Sequence, residues 1–385
     1  MAGRLLVSLD YYCWKGPWTG GSPRERVGLS QAQRCGTCAA VRRCGAVTLN
    51  TLLFVGGLVL AMMALLDVFE TVIVPGGSRA SLKVARRLVW AMLPVWKAVR
   101  GRRHGLSTAF APLALVLCFV IWMALLAFAF GLMSYAVRGD FDPPLKSFFD
   151  AVYIVGSSLV TVGLAESNPA GGARWVVLGA GFCGLGVMTM AVTYLLEVQT
   201  SVERRDTGII KLNTSAGEPP SAVILLQRFA AIDNQGDIGE ILREGRNWCA
   251  TVRQSHANHP SLIYFQSVAA GSGWPAALGA LLDLSLLSEL FLDSQELRGP
   301  AVLLREEATR MARELAGLIG VKPIEADGSE PELRQAADQL DGAGYRLRQD
   351  CDFANIARIR TEYLSCVNAL ADHLGKPRSV LVRQI

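Results

Sequence analysis

Between Arg79 and His104 the chain has no acidic residue, against eight basic ones: Arg79, Lys83, Arg86, Arg87, Lys97, Arg100, Arg102 and Arg103. A one-sign run set between apolar blocks is a membrane-flanking pattern, and its Trp90, Leu93 and Trp96 argue against a nucleic-acid interface. Also missing are a nucleophile with a base or metal cluster in a plausible site, and a glycine-rich phosphate loop ahead of a helix. An enzyme and a nucleotide site therefore have no support, and no cofactor is implied. Histidine is scarce, with four in 385 residues. His256 and His259, three apart near Pro260, lack an acid or cysteine at ligand spacing; they read as a capping histidine and an exposed one rather than a metal site or proton sensor. Of nine cysteines only Cys13, Cys35, Cys38 and Cys44 cluster. Cys35 and Cys38 have zinc-ligand spacing but no matching second pair, so no metal site is expected; Cys118, Cys183, Cys249, Cys351 and Cys366 read as buried free thiols.

What is present is apolar and unevenly spread. The chain is 51% hydrophobic with a formal charge of +5, and its apolar residues concentrate between Leu49 and Leu196. From Ser201 onward the sequence reads as a soluble helical domain, so two solvents have shaped one chain. Met1 to Ala46 is rich in Gly, Arg, Trp and Cys and lacks the apolar core and cleavage site of a signal peptide. We expect residues 1–46 to be unstructured or not native sequence, with the folded chain beginning near Val47.

A first spanning helix is expected within 47–78, since Leu49 to Val74 exceeds the roughly 20 apolar residues a bilayer requires. Asp67 and Glu70 near its end should face the helix bundle or end the buried stretch, and Pro75, Gly76 and Gly77 break it. In the basic segment 79–107, Leu82, Ala85, Leu88, Val89, Met92, Leu93 and Trp96 recur at helical spacing opposite Lys83, Arg86, Arg87 and Lys97. That pattern predicts an interfacial helix with its basic face toward anionic lipid headgroups, or an amphipathic helix packed on the soluble domain. Further spans are expected at 108–137 and 174–197, running outward and then inward if the basic segment is cytoplasmic. The first span would then place the N-terminus outside, against the basic excess of residues 1–46.

Between the last two spans, Pro143 and Pro144 stop the chain, and 146–158 predicts one short helix with Phe148, Phe149, Val152, Tyr153 and Val155 as apolar positions. Thr161-Val162-Gly163-Leu164-Ala165-Glu166 follows, then Ser167, Asn168 and Pro169. A short helix, an irregular strip and a polar exit between two spans is the pattern of a re-entrant loop, because irregular backbone at membrane depth must be buried in protein or line a water-filled path.

Phe148-Phe149-Asp150-Ala151-Val152-Tyr153 and Thr161-Val162-Gly163 resemble the pore helix and selectivity filter of the potassium channel family. Ile210-Lys211-Leu212, Ala216-Gly217-Glu218-Pro219-Pro220-Ser221-Ala222, Trp248, Ser255-His256, Pro260, Tyr264, Trp274 and Leu282-Asp283 extend the likeness to a bacterial subgroup with the same pore. The resemblance implies an all-α membrane protein of the two-transmembrane pore-loop type with a helical C-terminal domain; here a further spanning helix precedes the pore module of 108–199. It implies a homotetramer, since four loops are needed to replace an ion's waters with rings of carbonyls. Those carbonyls would belong to Thr161, Val162, Gly163 and Leu164, in a filter continuing to Ala165, with Tyr153 and Glu166 supporting it. Leu164 replaces an aromatic residue, Ala165 the second glycine, Glu166 an aspartate and Val160 a frequent threonine. These departures bear on potassium selectivity more than on architecture. Gly184 or Gly186 lies where the family places a gating hinge, though glycines on a membrane helix also serve close packing.

Over 200–385 helices are predicted at 222–232, 238–255, 274–292, 301–319, 333–340 and 353–374, after a linker from Asn213 to Pro220. The expectation is a multi-pass protein of the cell (inner or plasma) membrane that conducts monovalent cations, with potassium as the permeant ion the resemblance implies. The competing reading is a pore-fold receptor or scaffold that does not conduct, or does not select, and signals through its helical domain.

Overall fold

The computed structural model describes residues 28–73, 84, 87, 88, 91, 92, 94, 104–164, 166–265 and 271–382, with backbone alone for 28–46 and 104–110. Two compact units divide the chain after Leu53. The described part of the first is helical, so the expectation of an unstructured tail fails from Gly28 onward: the helix α1 spans Gly28–Val72. Thr51 tightens the backbone of that first unit by donating its hydroxyl to the Val47 carbonyl at 2.9 Å.

The second unit is an all-α membrane protein with a pore module and a helical domain. Its membrane part contains the end of α1, α2 (His104–Ala136), α3 (Phe148–Leu159) and the start of α4 (Ala173–Ala216). Three stretches are long and apolar enough to cross a bilayer, Val47–Val72, Ala111–Ala136 and one within Ala173–Ala216. Trp122, Leu126 and Ala129 of α2, Val155 and Leu159 of α3 and Ala180 and Val187 of α4 form their common core. Between α2 and α3 the strand β1 (Phe141–Asp142) pairs antiparallel with β2 (Asn168–Pro169), closing the loops on either side of the re-entrant segment.

Asp67 shows how a carboxylate is accommodated in this bundle. It is fully buried, and its Oδ2 accepts from the Trp122 indole at 2.8 Å and from the Val84 amide at 3.2 Å. A buried acid must find donors, and the bundle interior supplies them. Of the basic segment, Val84 and Leu88 pack against this core, Met92 packs against the core of the helical domain, and Arg87 is exposed. The remaining basic residues of 79–103 lie outside the described residues.

The inner span does not stop near residue 197. α4 continues unbroken to Ala216, where Gly217 at φ 81° ends it and donates its amide to the Asn213 carbonyl. The cause is a second stripe beyond the membrane: Val198, Ser201, Arg205, Ile209, Leu212 and Ala216 are all buried at helical spacing. The expected linker from Asn213 is therefore half helix. The domain itself comprises α5 (Ala222–Ala231), α6 (Ile238–Asn258), α7 (Gly273–Leu290), α8 (Gln295–Ile319), α9 (Glu330–Gly342) and α10 (Phe353–Leu374), with a 3-10 turn at Pro260–Tyr264. α7 is buried on every side from Gly273 to Ser288, so it forms the axis around which the other helices pack.

Candidate functional site

α3 begins where its sequence provides a reciprocal cap. The Ser147 hydroxyl accepts from the Asp150 amide at 3.1 Å, and the Asp150 carboxylate accepts from the Ser147 amide at 2.9 Å. Proline at 143 and 144 keeps the helix from starting earlier. Behind α3 two glycines set its depth. A Cβ on Gly131 would lie 2.6 Å from Val152 Cγ2, and one on Gly184 would lie 2.0 Å from the Leu159 carbonyl oxygen. The Ser158 hydroxyl adds a bond to the Val177 carbonyl at 3.0 Å. The short helix is thus wedged between α2 and α4 by close backbone approach, the packing mode small residues permit in membranes.

Past Leu159 the chain leaves helical geometry. Val160 donates to the Gly156 carbonyl, while the amides of Val162 and Gly163 both point to the Ser157 carbonyl, at 2.8 and 3.1 Å. Thr161 stands at φ 59° and Gly163 at φ 70°. The left-handed region costs a side chain about 1–2 kcal/mol and glycine almost nothing, so Gly163 suits its place and Thr161 is held there by its neighbours. The Ser157 hydroxyl lies within hydrogen-bond reach of the carbonyls of Ile154 (2.8 Å) and Leu164 (2.7 Å) and shares its single proton between them. In this conformation the Leu164 carbonyl thus faces its own helix. Ser157 escaped the sequence reading, although a Ser-Ser pair ending an otherwise apolar helix marks a polar contact.

Thr161, Val162, Gly163, Leu164 and Glu166 are exposed, as is Tyr153 on α3. Ala165 lies outside the described residues. Among the described residues, Tyr153 and Glu166, expected to brace the filter, make no hydrogen bond to it within a single chain. Exposed apolar residues of α4 form a stripe at Trp175, Leu178, Phe182, Leu185, Met188 and Val192, spaced by three or four. Gly184 is pressed on Leu159, while Gly186 has no atom within 4 Å of its Cβ position; α4 runs straight through both as one helix.

The two histidines of the domain differ from expectation. His259 is buried, not exposed, and His256 is buried to 1%. His256 does not cap the helix end: its Nδ1 donates to the Val252 carbonyl at 2.8 Å. Tertiary packing overrides the local pattern: Tyr194 of α4 stands against the His259 ring and Trp274 of α7 lies beside His256. The aromatic residues Trp274 and Tyr264 belong to the domain core, with Trp248 and Phe265 packed against it.

Residues 115–201 match the model of a family described as an ion channel. That stretch runs from the middle of α2 through α3 and the exposed strip into α4, and it brings a lipid bilayer as the setting of this part of the chain. No curated protein and no solved structure matches the chain.

Proposed function

We propose that the chain conducts monovalent cations, with potassium as the principal ion, through a pore built by four copies around the strip from Thr161 to Ala165. The observation that carries this reading is a coincidence of place. The ion-channel match covers the one described segment where irregular backbone, two positive φ values and an exposed strip lie between spanning helices. Such backbone at membrane depth requires protein or a water path on its open side. Neighbouring copies supply the protein, seated on the apolar stripe of α4 and on Phe149 and Tyr153 of α3; the axis between them supplies the path. A dehydrated ion is then held by main-chain oxygens of residues 161–164, once the Leu164 carbonyl turns from Ser157 toward the axis. In this assembly Tyr153 and Glu166 brace the loop across the subunit contact, and Gly186, which has free space around it, bends α4 more readily than Gly184.

The basic segment 79–104 holds anionic headgroups at the surface of the cell membrane in the same reading. Purified protein in liposomes tests conduction. Barium-sensitive potassium efflux is the expected result. Silence to potassium, sodium and rubidium in a protein that is folded and tetrameric would instead support a receptor or scaffold that kept the pore fold, and restored flux on Ala165→Gly would assign the silence to the altered filter.

A further inference from the structure

Leu262, in the 260–264 turn of the helical domain, is 1% exposed because it sits among Leu115 and Phe119 of α2 and Tyr194 and Val198 of α4. A turn of the domain is thus inserted between the outer and inner helices of the pore module. Arg205 of α4 fastens it there: Nη1 donates to the Leu262 carbonyl at 3.1 Å and Nη2 to the Phe265 carbonyl at 2.9 Å. The Trp248 indole of α6 donates in turn to the Arg205 carbonyl at 2.9 Å. α4 is one continuous helix from Ala173 to Ala216, so a force on this contact is passed along it to the pore.

Two histidines close the contact. The His259 ring stands edge-on to Tyr194, with centroids 5.1 Å apart at 85°, and Tyr194 meets Phe119 in the same way at 6.2 Å. His259 Nδ1 is buried with no hydrogen-bond partner among the described residues, and so is His256 Nε2. His256 lies beside Trp274 of α7, with centroids 6.0 Å apart. A proton added at either bare nitrogen would create a buried donor with nothing to receive it.

The charges around the pair do little to welcome a cation. Glu197 of α4 favours protonation of His259, while Arg205 and His259 oppose protonation of His256. α2 carries no Asp, Glu, Lys or Arg anywhere along its length. On α8, Glu307 and Glu314 are held by Arg253 of α6 at 2.7 and 3.2 Å. Burial therefore prevails: it lowers His259 below the usual histidine range and pushes His256 down to about 3.

We propose that the 259–265 turn is a proton-sensitive latch on the inner helix, seated while His256 and His259 are neutral and expelled from between α2 and α4 when they take up protons. Only its consequence for conduction rests on the channel reading. The sign follows from linkage. Each ring binds protons more weakly seated than released, where its value is the ordinary one of about 6.5. The latch is at full strength above that pH, weakens as pH falls below it, and stops weakening beneath the seated value.

Hydrogen exchange of the full chain in lipid nanodiscs, corrected for intrinsic rates, tests the latch directly. Between pH 8 and pH 5.5 the amides of 198–209 and 259–265 should lose protection by at least about tenfold, one proton giving tenfold per pH unit below the released value. His256→Asn with His259→Phe keeps the bond to Val252 and the edge contact with Tyr194 but cannot be protonated; its protection should stay flat. Unchanged protection of the wild type across that range overturns the latch, as does a double variant that responds like the wild type. The wild-type arm decides alone if the variant does not fold. Potassium efflux from liposomes is read in parallel. Protection that falls with pH in a protein without flux at any pH leaves the latch standing and removes the channel reading; flux with flat protection does the reverse.

Discussion

At Gly184 an added methyl group would sit 2.0 Å from the Leu159 carbonyl oxygen, whereas at Gly186 it would meet nothing within 4 Å. The two positions are two residues apart on one helix, yet opposite outcomes follow from the same substitution. Gly184→Ala should overpack the α3–α4 contact, a class of change costing about 1–3 kcal/mol. Gly186→Ala should be neutral or gain up to about 1 kcal/mol from helix propensity. Thermal unfolding of both variants in the same detergent checks this, with Gly184→Ala expected to melt below the wild type and Gly186→Ala at or above it. Equal melting points would mean the close approach at Leu159 is absent. Ser157 supports a different expectation. Its one hydroxyl proton is shared between two carbonyls, one of them at Leu164, so Ser157→Ala removes about 1 kcal/mol in all while freeing the Leu164 carbonyl. Stability should fall little, and the ratio of potassium to sodium flux should change; a ratio identical to wild type would show that Ser157 does not shape the ion path.

Among the elements, the helical domain has its own polar lock. Asp283, fully buried on α7, accepts from Arg360 Nε at 3.0 Å and from the Tyr363 hydroxyl at 2.6 Å, both on α10. Arg360 also reaches the Gly328 carbonyl and Glu332. Burial works against the Arg360 charge, and Asp283 with Tyr363 and Glu332 overcomes it, holding the guanidinium more firmly protonated than usual. Asp283→Ala leaves that buried cation with only the part-exposed Glu332 as counter-ion, so it should cost about 3 kcal/mol by chemical denaturation, against about 1 kcal/mol for Tyr363→Phe. Similar small losses for both would contradict a buried pair. The periodicity of most elements was legible in the sequence, because the helices of the domain other than α7 each bury one stripe and are bounded by prolines, glycines or a cap. α3 was legible to within two residues, at Lys146 rather than Phe148, since a Ser147 cap leaves its flanking residue indistinguishable from a first turn. The length of α4 was not. Glu197, Glu203, Arg204 and Arg205 look like the end of a span, and only the packing of Arg205 beneath the 260–264 turn shows why the helix continues. The histidine pair was misread for the same reason: three-residue spacing reports a local pattern, while the rings that cover the pair, Tyr194 of α4 and Trp274 of α7, come from other elements.

For the whole molecule, one chain leaves its most distinctive surface uncovered. Trp175 is 75% exposed, Phe182 78% and Phe149 80%, beside the strip that the ion-channel match includes. The strip's residue types and its place between two spans could be read from sequence, but its direction could not, because in the proposed tetramer a loop's open side is set by the neighbouring copies. In that proposal the same holds for the departures at Leu164 and Glu166, whose effect depends on what each faces across the subunit contact. The account predicts that charged substitution on this stripe, Phe182→Glu for example, abolishes assembly, seen as a shift from tetramer to monomer mass in detergent; an unchanged tetramer would place the stripe against lipid. Imaging of the assembled protein in a lipid disc with potassium present tests the central claim most directly. The predicted result is four copies about one axis, with ion density on that axis between the main-chain oxygens of residues 161–164. A structure in which those residues point away from any axis, or in which no symmetry axis passes between copies, contradicts it.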